Sequence, residues 1–325
     1  MSIAKYIREI GRGKDGARSL AQSDAQDLMS QVLDRTVSDL EIGAFALAMR
    51  IKGESVAELA GFQEATLERC LPLKTSRPLI VLPSYNGARR LPNLTPLLAL
   101  LLAQEGVSVL VHGPAHDAGR TTTFEILRDL GMPAARDGDE LEHAWSRHKP
   151  AFMCIDTLCP PLATLLEVRR VVGLRNSGHS VAKILDPFRD AGTLRVVNYT
   201  HPEYGSLLAG FFQHTGANAM LMRGTEGEPV ADPRRLPRLD VYQQGTHSPA
   251  LSCTPQEGVL TDLPVLPREH DAATTALYIQ SVISGEKPAP TPLLRQVETL
   301  VAALAAIVSP IGKDEHAVGD VKASA

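Results

Sequence analysis

Apolar residues in the first 70 positions recur three and four apart. One such run is Ile42, Phe45, Ala46 and Met49, and another is Leu59, Phe62, Ala65 and Leu67. This spacing predicts amphipathic helices. Three pairs mark helix starts: Ser23 with Gln26, Ser38 with Glu41 and Ser55 with Glu58. In each, the hydroxyl takes a first-turn amide while the later side chain reaches back. Gly11-Arg12-Gly13 and Lys52-Gly53 break the run. The texture changes at Pro78. An apolar run over 79–82, ending in Pro-Ser-Tyr-Asn-Gly, predicts a buried strand and a turn, and a nearly all-apolar stretch over 94–104 predicts a buried helix. Strands over 107–111 and 151–155, with a helix over 121–130 stopped by Gly131, predict a parallel sheet with covering helices. The pattern continues with a helix over 162–173 and strands over 194–198 and 219–222, joined by a crossover helix over 204–216. Extended segments and loops follow over 229–267, then closing helices over 271–284 and 293–308.

The expected fold class is therefore α/β, with a small all-helical N-terminal domain beside a large domain built on a central, mostly parallel sheet. The helical domain spans 1–75 and is joined by a helical insertion near 160–190. The α/β domain spans 76–312, and 313–325 is a tail expected to be disordered. A chain of 325 residues with 44% hydrophobic content is long enough for both domains. Cys70, Cys154, Cys159 and Cys253 form no C-x-x-C pair and no His cluster accompanies them, so they read as small buried residues in a reducing compartment and no metal is assigned. The N-terminus lacks a signal-peptide core, and no apolar run approaches the roughly 20 residues of a membrane span. The expected location is the cytoplasm, with no membrane partner.

The formal net charge of −4 argues mildly against a nucleic-acid partner, but binding depends on where charges sit. The stretch 69–104 has no acid and carries Arg69, Lys74, Arg77, Arg89 and Arg90. The stretch 168–185 also has none and carries Arg169, Arg170, Arg175, Lys183 and His179. A third cluster is Arg234, Arg235 and Arg238. Neighbouring arginines are ordinarily solvated or ion-paired; the coincidence of several acid-free windows favours a basic groove. Aromatics make up only 4%, so binding is expected to be mainly electrostatic. Tyr85, beside Arg89 and Arg90, is the candidate for base stacking, with Tyr199 a weaker one. His112 reads either as a base or as a histidine satisfying buried groups, and Ser84 lacks the context of a nucleophile. Asp117-Ala118-Gly119-Arg120, followed by Thr121, Thr122 and Thr123, is placed to hold an anion at the start of the next helix.

Several segments carry a family resemblance. Asn93-Leu94-Thr95, Gly106-Val107, His112-Gly113, and Val168-Arg169-Arg170 followed by Gly173-Leu174-Arg175 stand at the spacing of equivalent segments in the anthranilate phosphoribosyltransferases, of glycosyltransferase family 3. The resemblance covers 1–308. It implies substrates in a cleft between the two domains and a dimer contact through the helical domain, where Ala44, Leu47, Ala48 and Ile51 exceed what the helices bury alone. Where the family has its diphosphate loop, Gly-Thr-Gly-Gly-Asp, this chain has Pro83-Ser84-Tyr85-Asn86-Gly87. A proline there removes an amide donor. The family's lysine before His-Gly is Val111 and its following Asn is Pro114. Its adjacent Asp-Glu pair for magnesium is absent from Gly224-Thr225-Glu226-Gly227-Glu228-Pro229. Ser84, Asn86, Gly87, Asn93, Thr95, His112 and Gly113 are thus degenerate phosphate-site positions, with no catalytic residue, metal or cofactor assigned. The altered loop and the Gly-Thr-Glu-Gly-Glu-Pro segment are similar to a divergent YbiB-type DNA-binding branch. That likeness implies a non-catalytic homodimer that binds DNA without sequence preference, in a groove lined by Arg89, Arg90, Arg169, Arg170, Arg175, Lys183, Arg234 and Arg235. Nothing separates DNA from RNA. The rival reading is a phosphoribosyltransferase with an unidentified acceptor.

Overall fold

A computed structural model describes residues 2–188, 192–258 and 263–308. Five helices come first: α1 (Ala4–Ile10), α2 (Gly13–Gly16), α3 (Gln22–Leu33), α4 (Asp39–Lys52) and α5 (Val56–Leu67). The boxes at Ser38/Glu41 and Ser55/Glu58 form in full at the starts of α4 and α5. The one expected at Ser23/Gln26 does not: α3 begins at Gln22 behind Ala21, which has no side-chain cap. The Gln22 and Gln26 amides instead donate across to Glu64 and Glu68 on α5. The two helices meet at Gly61, where a Cβ would stand 2.8 Å from the Gln26 nitrogen and 3.1 Å from the Ala25 Cβ.

The α/β part follows. In chain order it contains β1 (Leu79–Pro83), α6 (Thr95–Gln104), β2 (Ser108–Gly113), α7 (Thr123–Asp129), β3 (Ala134–Ala135), α8 (Gly138–Ser146), β4 (Ala151–Cys154), α9 (Ile155–Leu158), α10 (Pro160–Val172) and α11 (Ser177–Ile184). Then come β5 (Thr193–Tyr199), α12 (Pro202–Thr215), β6 (Ala219–Arg223), β7 (Leu239–Gln243), β8 (Thr246–His247), α13 (Ala272–Ile283) and α14 (Thr291–Val308). One sheet runs β3-β4-β2-β1-β5-β6-β7-β8; it is parallel through β6, and β7 and β8 add an antiparallel edge. The short α8, α9 and β3 escape prediction because each buries too few residues to show a period. The expected tail, 313–325, lies outside the described residues.

The pleat divides the core. Leu79, Val81, Leu110, Met153, Val197 and Leu221 face the side covered by α1, α3–α5 and α8–α12. Ile80, Leu82, Val109, Val111, Val196 and Met222 face α6, α7, α13 and α14. α14 is the one described helix with the length and composition to cross a membrane, yet it buries Leu293, Val297, Leu300, Ala303 and Leu304 in this second layer. α10 packs on α3 and α11 on α5, so the insertion ties the helical bundle to the sheet. The C-terminal ends of β1, β2, β5 and β6 open beneath α10 and α11, the usual place for a ligand crevice in such a sheet.

Gly61→Ala forces α3 and α5 apart. We expect it to cost about 1–3 kcal/mol, the range for overpacking a close contact, read as a lower urea midpoint at unchanged slope. A midpoint equal to that of the parent would show that the helix pair yields freely.

Candidate functional site

The turn after β1 is held by two carboxylates from the segment after β6. Glu228, fully buried, accepts from the backbone amides of Asn86 and Gly87, each at 2.7 Å, and from the hydroxyls of Ser84 and, at 3.3 Å, Thr95. Four donors fill the capacity of one carboxylate. The donors are aligned in a chain: Thr95 N donates to the Asn93 amide oxygen, the Asn93 amide donates to Thr123 Oγ1, and that hydroxyl in turn meets Ser84 Oγ at 2.7 Å. Burial pushes the Glu228 carboxyl up, and the Ser84 and amide bonds pull it back. Glu226 does the same one turn further out, taking the amides of Arg89, Arg90 and Leu91 at 2.8–3.2 Å. The approach is close: Gly227 sits at φ +86, against the Asn86 side chain, where no Cβ fits.

Ser84, Asn86, Gly87 and Thr95 converge on a carboxylate of the chain itself, and Asn93 stands beside them, bonded to Thr95 and Thr123. His112 and Gly113 lie just behind. Gly113 backs onto the Ser84 carbonyl with no room for a Cβ. His112 Nε2 reaches the Leu185 carbonyl at 3.0 Å, so it carries the hydrogen, and bare Nδ1 takes the Tyr85 hydroxyl at 2.7 Å. Burial lowers this imidazole to about 4, and it stays neutral. Both nitrogens are satisfied, which makes His112 a packing and hydrogen-bonding residue of the core. Tyr85, expected as a stacking platform, is buried edge-on against His112 and presents no face to a base.

The cations separate into two groups. Arg175 bonds the Asn86 amide oxygen at 2.6 Å, and Arg120 reaches the Gly87 carbonyl at 3.1 Å. Burial, then repulsion from Arg120 and Arg169, lowers the Arg175 guanidinium. Burial and repulsion from Arg175 bring Lys183 down to about 8, with Glu228 acting the other way. Arg120, Arg169, Arg175 and Lys183 thus form one cluster whose members disfavour each other. Arg89 and Arg90 lie at its rim. Both are exposed, and neither side chain bonds to another described residue.

Other predicted residues are already paired, Arg170 and Arg234 with near neighbours in sequence and Arg169 with a distant acid. Arg169 pairs with Asp117, Arg170 with Glu167 and Arg234 with Asp232. Arg69 is bound to Asp34 and Arg77 to Glu142. Arg235 donates to the Gln256 carbonyl, on the approach to β7, and neither it nor Arg234 contacts the cluster among the described residues. The anion site expected at Asp117–Arg120 is closed from within: Asp117 accepts the Gly119 amide, and Thr122 and Glu125 cap α7. Arg120 belongs to the expected anion site, and in the sequence Glu226 and Glu228 stand only in a segment lacking the family's adjacent acid pair; the roles of the two acids depend on contacts between positions more than 130 residues apart.

The turn after β1, at the edge where a parallel sheet of this kind opens its crevice, is thus filled by the chain's own acid. Comparison with known proteins gives the class. Residues 4–70 match the glycosyl transferase family helical bundle domain. Anthranilate phosphoribosyltransferase from Symbiobacterium thermophilum is 27% identical over 93% of this chain and 87% of its own. The crystal structure of that enzyme from Thermus thermophilus has the same fold, with a TM-score of 0.69 at 21% identity, covering 93% of this chain and 99% of that one. YbiB of Escherichia coli K12 is 39% identical over 93% of this chain and 94% of its own length. The chain belongs to the anthranilate phosphoribosyltransferase-like, glycosyltransferase family 3 group, together with YbiB.

Glu228→Gln replaces one of the two acceptor oxygens with an NH2 group, which then faces two of the four donors. We expect a loss of about 2 kcal/mol or more, the scale for buried polar groups left unmatched, measured by thermal and urea unfolding. Glu226→Gln, at the more open end, should cost less. Equal and small losses for both would show that the loop does not depend on Glu228.

Proposed function

We propose that this chain is a non-catalytic, homodimeric protein that binds nucleic acid without sequence preference through the basic cleft between its helical and α/β parts. The observation that carries this reading is the filled loop. Glu226 and Glu228 take five backbone amides of the segment where relatives of this family carry a Gly-rich phosphate loop. Around that loop Arg120, Arg175 and Lys183 remain close and partly withdrawn from water, and Arg89 and Arg90 stand unpaired at the mouth. Diphosphate has lost its amide donors, while a polyanion passing across the rim still meets charge. Phosphate contacts of this kind bind through counter-ion release and read no sequence. With Tyr85 buried, base stacking adds little. Arg89, Arg90, Arg175 and Lys183 are the residues assigned, Arg120 joins them, and Arg169 contributes only when it exchanges Asp117. DNA is the proposed partner, and the same chemistry admits RNA.

The dimer rests on α4. Leu40, Leu47 and Ile51 are exposed, and with Ala44 they form one stripe at helical spacing. Such a face is self-complementary across a twofold axis. The rival reading, transfer of a phosphoribosyl group to another acceptor, requires binding of phosphoribosyl diphosphate. Calorimetry with that compound and magnesium separates the two: saturable binding supports the rival.

Changing both Arg89 and Arg90 to Ala should weaken binding of two unrelated oligonucleotides about equally. The slope of log affinity against log salt should fall by roughly one unit or less for each phosphate no longer neutralised. Fluorescence anisotropy at several salt concentrations checks it, and an unchanged slope would remove this rim from the binding site. Leu47→Asp should convert the dimer to monomer in sedimentation equilibrium; a dimer that persists places the interface elsewhere.

A further inference from the structure

Beside the filled loop, on the other side of Lys183, lies a cavity of about 340 Å³ between α4, α5, α11, β5 and α12. That volume is at the small end of ligand pockets. Its deep end gathers donors without partners. Asn198 is 2% exposed and its Nδ2 bonds to nothing described; Ser177 is 1% exposed and its Oγ is equally unmatched. Lys183 Nζ reaches only Asn198 Oδ1 among the described residues, at a long 3.5 Å, which leaves two of its three hydrogens unused. Arg175 lines the same wall. Buried donors without acceptors cost free energy and call for a ligand or a structural reason. The lining acids are Glu54, which takes the Ser180 hydroxyl at 3.5 Å, and Glu203; Glu228, outside the lining, offsets part of the charge of Lys183 and Arg175.

We propose that this cavity is a binding site for a small phosphate monoester, held by Lys183, Arg175, Asn198 and Ser177. The donors come from three places: the start of α11, its last turn, and the end of β5. Donors arriving from several directions suit the tetrahedral oxygens of phosphate better than the planar lone pairs of a carboxylate. The rest of the wall is mixed: Met49, Leu59, Tyr199, Tyr204, Leu207 and Leu208 give it apolar and aromatic surface, with polar residues such as His179 and His201 between them. It fits an organic body of about nucleoside size or smaller attached to the phosphate. The amides of the β1 turn, where the family resemblance places diphosphate, do not line this cavity. Arg89 and Arg90 do not either; Arg175 and Lys183 are common to both readings, but the proposal goes beyond the nucleic-acid reading and does not rest on it.

The test is isothermal titration calorimetry of adenosine 5′-monophosphate, ribose 5-phosphate and adenosine into the full chain. At least one monophosphate should give saturable binding, and adenosine should give none. Lys183→Met should weaken binding at least tenfold. Because that buried change could disturb folding, Leu207→Trp serves as a second variant: it fills the half-buried wall without touching a donor and should also weaken binding at least tenfold, with far-ultraviolet dichroism and melting unchanged. The Arg89/Arg90 double alanine variant should bind the monophosphate as the parent does, and Leu207→Trp should bind a 5′-dephosphorylated oligonucleotide as the parent does. A 5′-phosphorylated trinucleotide that competes with the monophosphate makes a strand terminus a source of the ligand; one that does not compete restricts the site to free monophosphates. The proposal is overturned if neither monophosphate binds, if adenosine binds as tightly as its monophosphate, or if folded Leu207→Trp binds like the parent.

Discussion

The cleft depends on one buried carboxylate. Glu228 supplies the negative charge around which the β1 turn, the α6 start and the segment after β6 are organised. An anion carried by the chain differs from a bound one in being always present and needing no entropy of association. The turn is therefore fixed in its holding conformation at every ligand concentration. Glu228 also makes the nearby cations tolerable. Lys183 would be harder to bury without it, since its attraction opposes both desolvation and the repulsion from Arg175 and Arg120. Removal of this acid disturbs two things at once, the turn and the charge balance of the cluster.

The sheet explains why such distant residues meet. β1 is central, with β2 on one side and β5 on the other, and β6 beyond. Parallel strands end at the same edge, so the turns after β1, β2, β5 and β6 crowd together there although they are far apart in the chain. The pleat buries alternate residues of these strands in two separate cores, which holds the edge rigidly. α11 then lies over that edge and brings Ser177 and Lys183 to it, with Arg175 just before its cap.

Much of the fold was legible because it rests on local chemistry. The caps at Ser38 and Ser55, the apolar run of β1 and the buried α6 all reflect interactions within a few residues. The Ser23 cap failed where a long-range force won: Gln22 and Gln26 are used to bridge α3 to α5. The site was legible as a set of positions but not as a state. Ser84, Asn86, Gly87, Asn93 and Thr95 do lie together, yet the carboxylate that takes donors from Ser84, Asn86, Gly87 and Thr95, Glu228, comes from over 130 residues away. Windows empty of acids misled for the same reason. Asp117 and Asp34 lie outside the windows in sequence and inside them in space, where they neutralise Arg169 and Arg69. Tyr85 shows that an aromatic beside arginines is no platform when its hydroxyl is needed by a buried histidine.

Which cations matter follows from what each would have to give up. Arg169 and Arg170 must release an acid before they can contact a phosphate, so their net gain is the difference between two ion pairs in similar surroundings. Arg89 and Arg90 lose only water. Their backbone amides, moreover, are pinned by Glu226, so the segment that carries them is ordered while their side chains remain free. An ordered backbone with unpaired guanidinium groups loses less entropy on binding a polyanion than a loose loop would. Arg175 and Lys183 are intermediate: they are held by neutral amide oxygens, Asn86 and Asn198, which compete weakly with phosphate. The same carboxylates that take the amides of the β1 turn therefore also order the backbone beneath Arg89 and Arg90 and offset part of the charge of Lys183, and they do so in a chain with no net positive charge as a whole.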